Sequence, residues 1–175
     1  MIDESLTQQV NDLVNILEAQ AADFSRLLAY IAQGEDAVRA ANVTRLLEVC
    51  QDERIIAGRL SELERHRVEI VSALTRVLDP SRAGQGPMRT ADVCQCLPES
   101  LQPRVHRAAA NLRSLAEETG RRSAILRAAA TTLCRHMGGV IQAVNTGLGN
   151  GTATYGRRGR IESPEFLHAM VDVRR

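Results

Sequence analysis

The stretch from Leu101 to Val144 constrains this chain more than any other. Apolar residues recur there at alternating gaps of three and four: Leu101, Val105, Ala108, Leu112 and Leu115, then Leu126, Ala129 or Ala130, Leu133, Met137, Ile141 and Val144. That spacing draws one apolar stripe along a helix of about 44 residues, roughly 66 Å at about 1.5 Å per residue. A helix of that length cannot bury a stripe against itself. It requires partner helices, from its own chain or from another molecule.

Two further patterns supply partners within the chain. Leu6, Val10, Leu13, Leu17, Ala21, Phe24, Leu28 and Ile31 form the seam of a first helix over about 3–33. Gly34, followed by the acids Glu35 and Asp36, reads as a break and a new helix start. The second helix, about 35–78, has a seam of Val43, Leu46 or Leu47, Cys50, Ala57, Leu60, Leu63, Ile70, Leu74 and Val77. Asp79-Pro80 ends it, because proline disfavours helix in the residue before it. Pro80, Gly84, Gly86, Pro87 and Pro98 make residues 79–100 a connecting loop, with a short helical turn predicted over Thr90 to Leu97. Ser100 is a suitable cap for the third helix, about 101–146, and Pro103 fits its first turn.

The expected architecture is therefore all-α: an elongated antiparallel helical hairpin or three-helix coiled-coil bundle over residues 1–151, with 152–175 as a flexible tail. The tail carries an amphipathic patch at Phe166, Leu167, Met170 and Val171. Composition agrees with a bundle. Aromatics make up 2% of the chain and Trp is absent, so Leu, Ala, Val and Ile must carry the burial.

Charge is segregated along the chain. Residues 1–36 hold seven acids and one base, residues 101–148 seven Arg and two Glu, and residues 37–79 seven of each sign. An acidic first helix beside a basic third is electrostatically favourable, although exposed pairs add little stability. The basic stretch has no interleaved aromatics and the whole chain carries a formal charge of +1, so the pattern gives nucleic-acid binding little support. No apolar run reaches the length of a membrane span. The acidic, amphipathic start fits neither a signal nor a transit peptide, and a cytoplasmic location is expected. The sequons at Asn42-Val43-Thr44 and Asn150-Gly151-Thr152 then have no glycosylation context.

Constellations that suggest chemistry do not assemble. Cys94-Gln95-Cys96 leaves one residue between the cysteines where paired zinc ligands need two or more, so pairing them with Cys134 and His136 makes a weak metal site. Cys50 and Cys134 lie on helical seams and read as small buried apolar residues. His66, His106, His136 and His168 have no matched carboxylate or nucleophile spacing. Gly147 to Gly151 follows a helix, not a strand, and so lacks the context of a phosphate-binding loop. No catalytic residue, cofactor or metal is assigned, and the expected role is partner binding.

Between Leu115 and Leu126 the stripe is interrupted by Thr119-Gly120-Arg121-Arg122-Ser123. The interruption is read either as a solvated, slightly bent mid-helix or as a hinge between a self-packed half and a partner-binding half.

Three segments carry a family resemblance. They are Ala37-Val38-Arg39-Ala40-Ala41-Asn42-Val43-Thr44-Arg45-Leu46-Leu47 leading to Glu62-Leu63-Glu64-Arg65, then Leu112-Arg113-Ser114-Leu115 through Ala124-Ile125-Leu126-Arg127-Ala128-Ala129, and finally Thr154-Tyr155-Gly156-Arg157-Arg158-Gly159. In these, the chain resembles the FlgN family, cytoplasmic chaperones of flagellar type III export that bind hook-associated proteins of the hook–filament junction. Where that family often carries asparagines in the middle of the third helix, this chain has Thr119 and Ser123.

The resemblance implies an export chaperone that holds a disordered terminal segment of a hook-associated protein and interacts with export-apparatus components. Such a chaperone would be a monomer or weak dimer. A client helix would bury its apolar face on an unfilled helical surface. The candidate partner-binding residues are Leu126, Leu133, Met137, Val140, Ile141 and Val144, with Ala129, Ala130, Gly138 and Gly139 permitting close approach. The alternative reading is a self-assembling coiled-coil scaffold with no client.

Overall fold

In the computed structural model, helices α1 (Glu4–Arg39) and α2 (Val43–Leu78) pair along most of their length. The described residues are 4–82, 86 and 88–149. The chain divides into two compact units, Met1–Thr131 and Thr132–Arg175. Helix α4 (Gln102–Gly149) contributes to both, and each unit is described in turn. The all-α expectation holds.

In the first unit α1 and α2 are antiparallel: Gln20 donates to Glu64 at 3.1 Å near mid-helix, and Arg45 donates to Gln33 at 2.6 Å near the turn. The first thirty residues of α4 run parallel to α1. Arg104 donates to Asn11 at 2.8 Å near the start, and Arg122 grips Glu35 near the far end. The order is up, down, up.

The turn between α1 and α2 falls at residues 40–42 and not at Gly34, which lies buried inside α1. Two reasons combine. Gly34 is a close-approach residue: a Cβ there would stand 2.7 Å from Leu126 Cδ2 and 3.5 Å from Val49 Cγ1. The real helix end is a Schellman motif, in which Asn42 N donates to Ala37 O at 2.8 Å and Ala41 N to Val38 O at 3.0 Å. Ala41 takes φ 50° to close it, a left-handed conformation that costs an alanine about 1 kcal/mol. Asn42 then caps α2 by accepting from the Arg45 amide at 3.0 Å, so one residue closes one helix and opens the next.

At the other end α2 stops at Leu78 before Pro80, as the sequence requires. A turn of 3-10 helix (Pro80–Arg82) and the short helix α3 (Thr90–Cys96) follow. Thr75 ties this connector down. Its buried hydroxyl donates to Val71 O and accepts the Met88 amide at 3.1 Å. Thr90 is the first residue of α3 and its hydroxyl accepts from Arg67, while Arg89 before it makes no side-chain cap. α4 begins at Gln102, whose amide group donates to Leu97 O at 2.7 Å.

Burial concentrates in two apolar clusters. The larger, at the base, gathers Val10, Leu13 and Leu17 of α1, Val71 and Leu74 of α2, Val93 of α3, and Val105 and Ala108 of α4. Each fully buried Val or Leu stabilises this end by about 1.5–3 kcal/mol. The smaller cluster, near the α1–α2 turn, holds Ile31, Ala37, Leu46 and Leu126. Between them along the helices lie the buried polar residues Gln20, Asp23 and Thr119. Asp23 is 1% exposed and pairs with Arg26 at 2.9 Å and Arg59 at 3.3 Å, both of which reach it from solvent.

Leu46 and Leu74 of the expected α2 seam are buried, but at two positions between them the buried residue is the one before that expected. Val49 and Ile56 are buried, whereas Cys50 and Ala57 are exposed; Cys134 of α4 is exposed as well. The larger side chain of each adjacent pair takes the interior, which corrects the reading of Cys50 and Cys134 as buried fillers.

The polar stretch from Thr119 to Ser123 does not break α4. Thr119 turns its hydroxyl back to Leu115 O at 2.7 Å. Arg122 donates twice to Glu35, at 3.1 and 2.9 Å. That guanidinium holds the Glu35 carboxyl below its ordinary value against an opposing desolvation effect. The stripe is interrupted there because the contact it makes is ionic.

In the second unit the described residues are 132–149, the last turns of α4. The tail predicted over 152–175, with its patch at Phe166–Val171, lies outside the described residues.

Candidate partner-binding surfaces

The six residues singled out from the stripe divide into two groups. Leu126 is 8% exposed and belongs to the small cluster, where it packs into the space left by the missing side chain of Gly34. It is occupied by the chain's own core. Leu133 is half-buried. Met137, Val140, Ile141 and Val144 are exposed, at 37%, 49%, 59% and 53%.

Steps of three, one and three residues from Met137 to Val144 put these four side chains on one helical face, and Leu133 extends that face by a turn. Elsewhere among the described residues large exposed apolar side chains stand apart from one another, as at Leu47, Ile55 and Val77, and isolated cases need no explanation. Four within two turns make a surface. A Cβ at Gly138 or Gly139 would meet nothing within 4 Å, so the backbone is open to close approach. The charged residues of this segment are Arg135 and, when protonated, His136, with no acid among residues 132–149.

A second surface went unread in the sequence. A cavity of about 1350 Å³ opens between α2 and the first turns of α4, floored by Leu17, Gln20 and Phe24 of α1 and closed at the base by α3. Its volume exceeds the roughly 300–1,000 Å³ typical of small-molecule pockets. Leu60 of α2 and Ala109, Leu112 and Ala116 of α4 supply apolar walls, and Arg107 and Arg113 supply charge. On the opposite wall Arg67 grips Glu64 at 2.8 and 2.6 Å. The Arg67 guanidinium lowers the Glu64 pKa more than burial raises it, and the Gln20 amide adds to that lowering. Burial alone pushes the Cys94 thiol up, which leaves it less nucleophilic.

Leu60 was expected in the α2 seam and instead lines this opening. The available signals were small: the polar Gln20 and Asp23 beside the α1 seam, and a run of alanines at 108–110 too short to fill the space. Among the described residues no group of three or more His, Cys, Asp or Glu side chains is placed to hold a metal ion. No helix of the described residues is long and apolar enough to cross a membrane.

A helical hairpin with a third helix beside it and an apolar stripe left open near the end is compatible with many binding proteins. The deciding observation is a family model, that of the FlgN protein, which matches residues 1–163. The chain belongs to the FlgN family. No curated protein and no solved structure matches it. Family membership makes the general role that of a flagellar export chaperone. Its partners are flagellar proteins in the same general sense. The match ends before Phe166, so the amphipathic patch of the tail lies beyond the matched residues.

Proposed function

We propose that this FlgN-family chain is a cytoplasmic chaperone that takes a helical terminal segment of a flagellar hook-associated protein onto the face formed by Leu133, Met137, Val140, Ile141 and Val144. The bound segment is thereby kept from premature assembly and is delivered to the type III export apparatus. The observation that supports this reading is the exposed apolar stripe on the last turns of α4, where Met137, Val140, Ile141 and Val144 stand open together.

The physics favours a specific but releasable complex. Each large apolar side chain taken from water contributes up to about 1.5–3 kcal/mol, and these four start about half-exposed. Against this stands the ordering of a disordered client segment, about 2–5 kcal/mol or more. The net affinity is moderate, which suits a chaperone that must let go.

Replacing Leu133→Asp together with Ile141→Asp is expected to abolish co-purification with a hook-associated protein while leaving helicity by circular dichroism largely intact. Unchanged co-purification refutes the assignment of this face. The same stripe also suits a self-assembling scaffold, and sedimentation at several concentrations separates the two. A chaperone stays monomeric or weakly dimeric, whereas a scaffold oligomerises through the stripe and loses that property in the double variant.

A further inference from the structure

Near the α1–α2 turn the three long helices close on one another, with Leu126 of α4 packed over Gly34 beside Val49 of α2. At the base they are tied together through α3. Between those ends lies the cavity of about 1350 Å³, with α2 on one side, α4 on the other and α1 as its floor. We infer that this slot is the seat of a fourth helix supplied by another protein: an amphipathic helix of about three turns, apolar where it enters and acidic along the flank that meets α4. The inference stands apart from the client face at the end of α4, and the experiment below separates the two.

The walls have the spacing that a helix requires of its neighbours. On α4, His106, Ala109, Arg113 and Ala116 line the slot at gaps of three, four and three. On α2, Ala57, Leu60, Glu64 and Arg67 repeat those gaps. Each row is one face of its helix, turned toward the same space. The alanines keep both walls low, which lets an incoming helix approach to the usual 8–10 Å between axes. Phe24 on the floor, Leu60 and Leu112 are half-buried, so part of their apolar surface remains to be covered.

The size of the slot fixes the length of the occupant. Ala57 to Arg67 spans about 15 Å of helix rise and Gln102 to Ala116 about 21 Å. A helix about 10 Å across fills a volume of 1350 Å³ with about 17 Å of its length, or three turns. α3 closes the base, so a much longer helix does not fit.

Charge fixes its character. Arg67, Arg107 and Arg113 line the slot, and Glu64 is the one acid among the lining residues. Glu64 is already engaged, by Arg67 at 2.8 and 2.6 Å and by Gln20 at 3.1 Å. Arg107 and Arg113 are exposed on the α4 side, and among the described residues no acid pairs with either. A carboxylate-bearing flank therefore meets two open guanidinium groups on α4, whereas an ammonium-bearing one is repelled. Among the described helices of this chain the acidic one is α1, and its apolar face lies in the core. A second copy thus has no free helix of this kind to offer, and the occupant belongs to a different protein.

The test titrates a fluorescein-labelled, side-chain-stapled model helix of about 14 residues into the full chain and reads anisotropy. The probe carries Leu at gaps of three and four, Glu along one flank and Gln along the other; its counterpart carries Lys in place of Glu. The Glu helix is expected to bind saturably, one per chain, with a Kd at least about tenfold below that of the Lys helix. Arg107→Glu together with Arg113→Glu should reverse the order of the two. Ala110→Trp fills the slot from an exposed position on α4 and should weaken the Glu helix at least about tenfold. Ala57→Trp does the same from α2 and serves if the first variant alters the circular dichroism. Equal affinity for the two helices overturns the inference, as does affinity unchanged by either Trp. Absence of binding to the full chain also overturns it, since the slot is then closed or filled by the chain itself. Self-association that the Glu helix dissolves puts a second copy in the slot and overturns it too. Ile141→Asp should leave the Glu helix bound as before; loss of binding there moves the probe to the end of α4, which overturns the slot and leaves the client face standing.

Discussion

The contact between Gly34 and Leu126 decides whether the long stripe is one surface or two, and a double-mutant cycle reads it directly. Alanine in place of glycine inside a helix gains about 1 kcal/mol from backbone entropy alone. At position 34 the added methyl would lie 2.7 Å from Leu126 Cδ2, well inside contact distance, with Val49 Cγ1 behind it at 3.5 Å. Overpacking of this kind costs about 1–3 kcal/mol. Gly34→Ala alone is therefore expected to leave stability unchanged or lower it by up to about 2 kcal/mol. Leu126→Ala alone empties a site that is 8% exposed. It should cost about 2–3 kcal/mol, the low end of the usual range because the cluster around it is small. In the double variant the clash is gone, and Gly34→Ala then delivers its helix-propensity gain of about 1 kcal/mol. The sign of the Gly34→Ala effect flips with the partner, a coupling of about 1–3 kcal/mol. Urea denaturation followed by far-UV circular dichroism measures all four corners. A gain of about 1 kcal/mol from Gly34→Ala in both backgrounds would refute the close approach and return Leu126 to the open stripe.

Two further outcomes follow from the ionic contacts. The lowered Glu35 pKa means that its pairing with Arg122 stabilises the fold above the ordinary glutamate value of 4.5, and that this contribution is lost as pH falls through the lowered folded value. Arg122→Gln should thus be less stable than the parent at pH 7 and should converge with it in acid; parallel urea midpoints across that window would disprove the coupling. Asp23→Leu should stabilise the bundle by about 1 kcal/mol or more. It replaces a carboxylate with a buried, unpartnered Oδ2, while Arg26 and Arg59 remain solvated; a lower thermal midpoint would show that those pairs outweigh the desolvation.

The features legible in the sequence were those set by local chemistry. Asp79-Pro80 had to end α2, and gaps of three and four had to produce helices. Gly34 shows where such reading stops. A glycine before a pair of acids looks the same whether it breaks a helix or admits a leucine from another one, and only the distance to Leu126 tells them apart. The actual turn uses Ala41 at positive φ, which no composition rule marks. Adjacent apolar pairs hid the phase of α2, since Val49 or Cys50, and Ile56 or Ala57, each continue a helical seam. The groove beside Leu60 and Leu112 was invisible because a void belongs to no residue. At the stripe, spacing showed that Leu126 and Val144 share a face, but not that one is buried and the other bare.

That difference bears on how the open end of α4 behaves. Residues 132–149 continue an existing helix, so nucleation is already accomplished and each further residue need only propagate it. Gly138 and Gly139 raise the cost of propagation by about 1 kcal/mol each relative to alanine, in a stretch where Met137, Val140, Ile141 and Val144 are exposed. Under the proposed function, a helix laid on this face therefore does two things at once, burying apolar surface and suppressing fraying beyond the glycine pair. Part of the binding energy is spent on that ordering, which keeps the complex weaker than its contact area suggests. Substituting Gly138→Ala and Gly139→Ala removes the need: it should strengthen association and slow release together, and a variant with tighter binding but unaltered release would show that the glycines set contact geometry and not order.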